Sequence, residues 1–121
     1  MANPVTRWQI VARDAQAVAD FYRKLFGWSV RTDNALGYRT LESGDARGID
    51  GGVWPAPPGA PGMVQLFVEV DDVDRSIADA VALGAQIIVP KSELPDGDTM
   101  AILLDPAGLS FGVVKSGRSV S

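Results

Sequence analysis

An α+β fold built from two βαβββ modules is predicted by three observations. The first is a repeat: an alternating apolar stretch, a capping aspartate, an amphipathic helical stretch and a terminating glycine occur twice in the same order. The aspartates are Asp14 and Asp72, fifty-eight positions apart, and the glycines Gly27 and Gly84, fifty-seven apart, so the copies agree to one residue. The second is that each copy continues into three further strand-like stretches. The third is a segment between the copies, residues 55–62, with four prolines in eight residues, which cannot continue a β-ladder and favours an extended path. Each module alone is small for a core, so the expected organisation is one domain, residues 1–121. It comprises module one (5–54), the linker (55–62), module two (63–115) and a loose tail (116–121).

In chain order, residues 5–12 alternate as a strand, with Arg7, Gln9 and Val11 on one face and Trp8, Ile10 and Ala12 on the other, the helix-packing side. Asp14 caps a helix whose apolar face is Val18, Phe21, Tyr22 and Leu25, and Gly27 ends it. Residues 27–33 and 38–42 read as a hairpin around Asn34 to Gly37. Residues 49–54 are a strand interrupted by Gly51 and Gly52, where a bulge or a close backbone approach is expected. In module two, residues 65–70 form the strand and Asp72 the cap, with Asp74 in the first turn suiting the helix dipole. Val73, Ile77, Ala80 and Val81 make the apolar face, and strands follow at 86–89, 100–104 and 109–114. Leu94-Pro95-Asp96-Gly97 reads as a turn, and Asp105-Pro106-Ala107-Gly108 as a type I turn. The acidic run Asp71, Asp72 and Asp74 reads as helix capping, since the loop glycine and distal glutamate of an EF-hand are missing.

Composition narrows the chemistry. There is no cysteine and no histidine, which removes the thiolate nucleophile, the commonest general base and the commonest transition-metal ligands. The net charge of −4 argues against nucleic acid as a partner. No apolar run is long enough to cross a bilayer, and the N-terminus lacks a signal-peptide core, so a cytoplasmic protein is expected.

The chain resembles the vicinal oxygen chelate superfamily, which includes glyoxalase I, extradiol dioxygenases and bleomycin-resistance proteins. The carriers are Ala19-Asp20-Phe21-Tyr22 with Phe26-Gly27-Trp28, then Val68-Glu69-Val70-Asp71-Asp72-Val73-Asp74. Leu83-Gly84-Ala85, Pro90, Leu94-Pro95 and the run DPAGLSFG at 105–112 complete the pattern over nearly the whole chain. The resemblance implies a curled mixed sheet around a shared cleft, usually within a homodimer. It also implies metal ligands on the first and last strands of each module. Carried over, these positions fall on Gln9, a residue type known there in glyoxalase I, on Gln65, on Gly112 and within residues 51–54. Two neutral amides and a glycine do not supply the imidazole, thiolate or carboxylate donors that a transition metal needs, so no metal and no cofactor are expected.

The candidate cleft comprises Gln9, Val11 and Trp54 from module one and Gln65, Phe67, Glu69, Ser110, Gly112 and Val114 from module two. Gln9 and Gln65 either orient a ligand or satisfy backbone and water on a half-buried face. Glu69 is a general base, a counter-ion for a cationic group, or an exposed rim carboxylate; Gly112 leaves room in place of charge. No residue is assigned as catalytic. The leading expectation is a metal-free protein that binds a small organic molecule, cationic or aromatic, as a homodimer. The alternatives are a lyase or dioxygenase-like enzyme using the cleft carboxylate or a bound cofactor, and a protein-interaction module.

Overall fold

The structure is a computed structural model, and it describes residues 2–32, 38–94 and 97–117. The element order is β1 (Val5–Ala12), α1 (Ala15–Phe26), β2 (Ser29–Arg31), β3 (Arg39–Glu42) and β4 (Gly51–Pro55). The same order repeats as β5 (Met63–Glu69), α2 (Val73–Ala82), β6 (Gln86–Glu93), β7 (Thr99–Leu104) and β8 (Ser110–Lys115). This is the predicted α+β fold of two βαβββ repeats. The hairpin tip expected at Asn34 to Gly37, Pro95 and Asp96 of the turn before β7, and the end of the tail from residue 118 lie outside the described residues. Among the described residues no helix is long and apolar enough to cross a membrane.

The chain forms two compact units, one from Thr6–Gln65 and the other from the residues before Thr6 together with Leu66 onward. In the first unit the strands run in the order β2-β3-β4-β1. β1 and β4 are parallel, from Trp8↔Gly51 to Ala12↔Pro55, while β3 is antiparallel to both β4 and β2. The register of β1 on β4 is unbroken, so the glycine pair makes no bulge there. Asp14 caps α1 by accepting the Ala17 N–H at 3.0 Å, and Gly27 closes it by donating to the Arg23 carbonyl at 2.9 Å. The core gathers Ala12, Ala15, Ala19, Leu41 and Val53, with Trp8, Ile10, Val18, Tyr22, Trp28 and Val30 packed around them. Trp28 lies 5.6 Å from Trp8 and 5.8 Å from Tyr22 between ring centroids. Phe21 and Leu25, expected on the apolar helix face, are each 57% exposed. The helix meets the sheet through its small residues Ala15 and Ala19, and Phe21 is turned roughly 100° from Tyr22 about the axis, onto the flank.

In the second unit the order is β5-β8-β7-β6, with β5 parallel to β8 and β7 antiparallel to β8 and β6. Asp72 caps α2 by accepting the Arg75 N–H at 3.1 Å, and Asp74 pairs with Lys91 at 2.7 Å on the surface. Beneath α2 lie Val70, Val73, Ala101, Leu103 and Val113, with Ile77, Ala80 and Phe111. The opposite face of β7 carries Met100 and Ile102, packed with Phe67 and Val114. Burial on both faces explains why residues 100–104 read as a continuous apolar run rather than an alternation. Val81, expected on the apolar helix face, is 47% exposed, and Leu109, expected to open the last strand, is 67% exposed. Leu109 still belongs to the turn, where Asp105 Oδ1 accepts its N–H at 3.0 Å and that of Ala107 at 2.8 Å, so β8 begins one residue later. β6 outlasts its predicted end at Val89 and runs through Pro90 with two register shifts, which a strand at the end of its sheet order tolerates.

Candidate ligand-binding face

Alternation along β1 sends Trp8, Ile10 and Ala12 into the core with α1 and leaves Gln9 facing the other way. Gln9 is 6% exposed and Gln65 2%. The two side chains meet, Gln9 Nε2 donating to Gln65 Oε1 at 3.0 Å, and Gln65 Nε2 lies 3.5 Å from Met63 Sδ. An amide buried without a partner costs about 1–3 kcal/mol. The pair removes that cost, and among the described residues no buried side-chain N or O lacks a partner. Chemically the pair is neutral: it positions donors and acceptors, and neither amide takes up or releases a proton near neutral pH.

Val11 is half-buried and stands in register with Trp54 across β1 and β4. Gln9 stands in register with Gly52, and a Cβ at Gly52 would overlap the hydroxyl end of the Tyr38 ring. The close approach expected at the glycine pair is therefore made by an aromatic side chain over bare backbone. Tyr38 also packs on Trp54, ring centroids 4.9 Å apart and planes tilted by 49°. Burial pushes the Tyr38 hydroxyl up to about 12, against the opposing pull of the Arg7 charge, so it stays protonated at neutral pH. Tyr38 was not among the sequence candidates. The available signal was the alternation of Tyr38, just before β3, with Thr40 in it, which stands opposite Gly52.

In the second unit, Phe67 stands in register with Gly112. A Cβ at Gly112 would lie 2.6 Å from Phe67 Cδ2, 2.7 Å from Cζ and closer still to Cε2. The room expected at Gly112 is thus filled by a ring that is itself 3% exposed. Val114, 1% exposed, belongs to the same apolar cluster, and Ser110 is half-buried at the start of β8 opposite Leu104. Glu69 is half-buried, and its Oε2 accepts the Ser116 N–H at 2.9 Å. Its backbone is tied to the chain start: the N–H donates to the Pro4 carbonyl at 2.9 Å, and the carbonyl accepts from Asn3 Nδ2 at 3.0 Å. These are structural tasks for the one acid among the candidates.

Of the nine sequence candidates, Gln9, Val11, Trp54 and Gln65 fall in the first unit, where the amide pair and the Val11–Trp54 register join them two by two. Phe67, Glu69, Ser110, Gly112 and Val114 fall in the second. The residues at the metal positions do not fit a transition metal. Two of them are amides already bonded to each other, one is a glycine under a phenyl ring, and residues 51–54 carry no carboxylate. Among the described residues no three carboxylates gather into a cation site either.

The profile of the Glyoxalase-like domain family matches residues 8–114. The Mycobacterium bovis protein named "Putative glyoxylase CFP32" is 38% identical over 78 residues, 64% of this chain and 30% of that protein. The "Anthracycline biosynthesis protein DnrV" of Streptomyces peucetius is 28% identical over 86% of this chain and 44% of its own length. The chain therefore spans less than half the length of these curated relatives. Among solved structures, a Streptomyces coelicolor methylmalonyl-CoA epimerase has a TM-score of 0.65 at 17% identity, covering 98% of this chain and 100% of the other. The hypothetical protein BH1468 of Bacillus halodurans C-125 has a TM-score of 0.71 at 15% identity, covering 100% and 99%. These two likenesses are of fold. With the profile covering most of the chain and the βαβββ repeat in place, the protein belongs to the glyoxalase-like family of the vicinal oxygen chelate superfamily.

Proposed function

We propose that this protein binds a small, flat, partly aromatic organic molecule on the Gln9 face of its first unit, without a transition metal. The observation that carries the reading is the buried Gln9–Gln65 amide pair, at positions where the resemblance puts metal ligands. Such a pair beside the half-buried rings of Tyr38 and Trp54 has the make-up of a small-molecule site: apolar and aromatic walls with a few placed polar groups. A relative named for anthracycline biosynthesis is in keeping with a planar aromatic ligand. The preference for a cationic group, which the sequence rested on Glu69, has a weaker carrier now that this carboxylate holds the Ser116 N–H. Thermal-shift screening over planar aromatics and divalent metals, followed by calorimetry, tests the proposal. The expected result is stabilisation by an aromatic and none by a metal, with Gln65→Ala and Trp54→Ala each weakening the ligand by about 1 kcal/mol or more. Unchanged affinity in both folded variants would refute it.

The same reading includes a homodimer. Its support is an apolar groove of about 530 Å³ in the first unit, lined by Ile10, Val18, Phe21, Tyr22, Met63 and Val64. Phe21 is 57% exposed and Val64 68%, an outward apolar surface of the kind that association covers.

A further inference from the structure

The geometry points to Tyr38 and Arg7 as specificity-determining residues of the Gln9 face: Tyr38 as a second stacking surface beside Trp54, and Arg7 as the charge that selects a planar aromatic anion. This assignment rests on the reading of that face as the ligand site, and it adds the ligand's charge and a further residue to it.

Gly52 is the register partner of Gln9, so the backbone beside the amide pair is bare, and the place of its missing Cβ is taken by the Tyr38 ring. Any larger residue at 52 would meet both that ring and the Arg39 carbonyl of β3. The Tyr38 and Trp54 planes are tilted by 49°. A face-to-face stack would hide one face of each ring, whereas a tilted pair of half-buried rings leaves aromatic surface for a third. Arg7 shares its strand face with Gln9 two residues away, about 6.7 Å along β1. Arg7 is half-buried on that face, and its charge lies close enough to pull against the rise in the Tyr38 pKa. The phenol itself remains neutral, so the wall adds no negative charge against an anion. An anion preference here would be local, because the net charge of −4 draws cations at long range.

Two three-ring probes of similar size decide the matter: anthraquinone-2-sulfonate, an anion, and proflavine, a cation, titrated into the protein by calorimetry at two salt concentrations. The sulfonate is expected to bind more tightly than proflavine. Tyr38→Leu should weaken it about tenfold, while Tyr38→Phe, which keeps the ring, stays within about twofold. Arg7→Gln should weaken the sulfonate about fivefold and leave proflavine no weaker than before. If Tyr38→Leu does not fold by circular dichroism, Tyr38→Met, nearer the ring in length, removes the same aromatic surface and carries the same expected loss. Wild-type preference for proflavine would overturn the role of Arg7. Full affinity in Tyr38→Leu or Tyr38→Met, with Trp54→Ala impaired, would overturn the role of Tyr38 while the face remains the site. No binding of either probe would overturn the assignment together with the reading beneath it.

Discussion

Replacing Gly112 by alanine adds one methyl group, and the effect follows from the geometry around it. The new Cβ would lie 2.6 and 2.7 Å from two atoms of the Phe67 ring and closer to a third, where carbon contacts settle near 3.5–4.0 Å. The ring or the strand must therefore move by about 1 Å. The ring is 3% exposed and shares its cluster with Met100, Ile102 and Val114, so it has little space to move into. Overpacking of this kind costs about 1–3 kcal/mol. Gly112 is not among the positive-φ glycines, so without the ring alanine would instead gain about 0.4–1 kcal/mol through the unfolded state. For a domain of this size, a net loss of about 2 kcal/mol lowers the melting temperature by roughly 6–12 °C. Chemical denaturation of Gly112→Ala, Phe67→Leu and the double variant gives a thermodynamic cycle. The penalty of Gly112→Ala should shrink by at least about 1 kcal/mol in the Phe67→Leu background. A Gly112→Ala protein as stable as wild type, or strictly additive variants, would refute the account of why this position carries no side chain. The same obstruction applies to any glutamate introduced at 112.

Truncating one member of the buried amide pair, as in Gln65→Leu or Gln9→Leu, should destabilise by about 1–3 kcal/mol, while the Gln9→Leu/Gln65→Leu double variant costs less than the sum; urea denaturation measures both. Asp14→Ala and Asp72→Ala remove the caps of α1 and α2 and should each cost about 1 kcal/mol, read in the same way. Because Tyr38 titrates near 12 in the folded state and near 10 when unfolded, its contribution is fully present below pH 10 and is lost as pH rises toward 12. Titration at 295 nm should show one of the two tyrosines ionising late, and Tyr38→Phe should abolish that late step. Light scattering at micromolar concentration should give the mass of a dimer, and Val64→Glu should reduce it to that of a monomer.

The element order was legible because each signal was local: the aspartate caps, the terminating glycine and the alternation of β1 all act within a few residues of one another. Gln9 and Gln65 were legible as a pair of positions, though their bond was not, since it depends on side chains fifty-six residues apart meeting at 3.0 Å. Tyr38 escaped notice because its importance comes from a glycine on another strand. The filling of Gly112 was illegible for a similar reason, since an absent side chain reads as a gap until the neighbour that enters it is placed. The exposure of Phe21 and Leu25 depends on the docking of α1 through alanines, and a periodic pattern does not report how wide the buried stripe is. Pro90 reads as a strand end because its missing donor is penalised in a central strand, and β6 is not central.

The ties between Asn3, Pro4 and Glu69 bear on the order in which the molecule consolidates. Asn3 and Pro4 lie more than sixty residues from their partner along the chain. The unit from Thr6 to Gln65 contains its own helix, core cluster and amide pair. Closing so long a loop is entropically costly and slow beside the local contacts within a helix. Amide exchange at Glu69 should therefore lag that of Ala19 in pulse-labelled refolding.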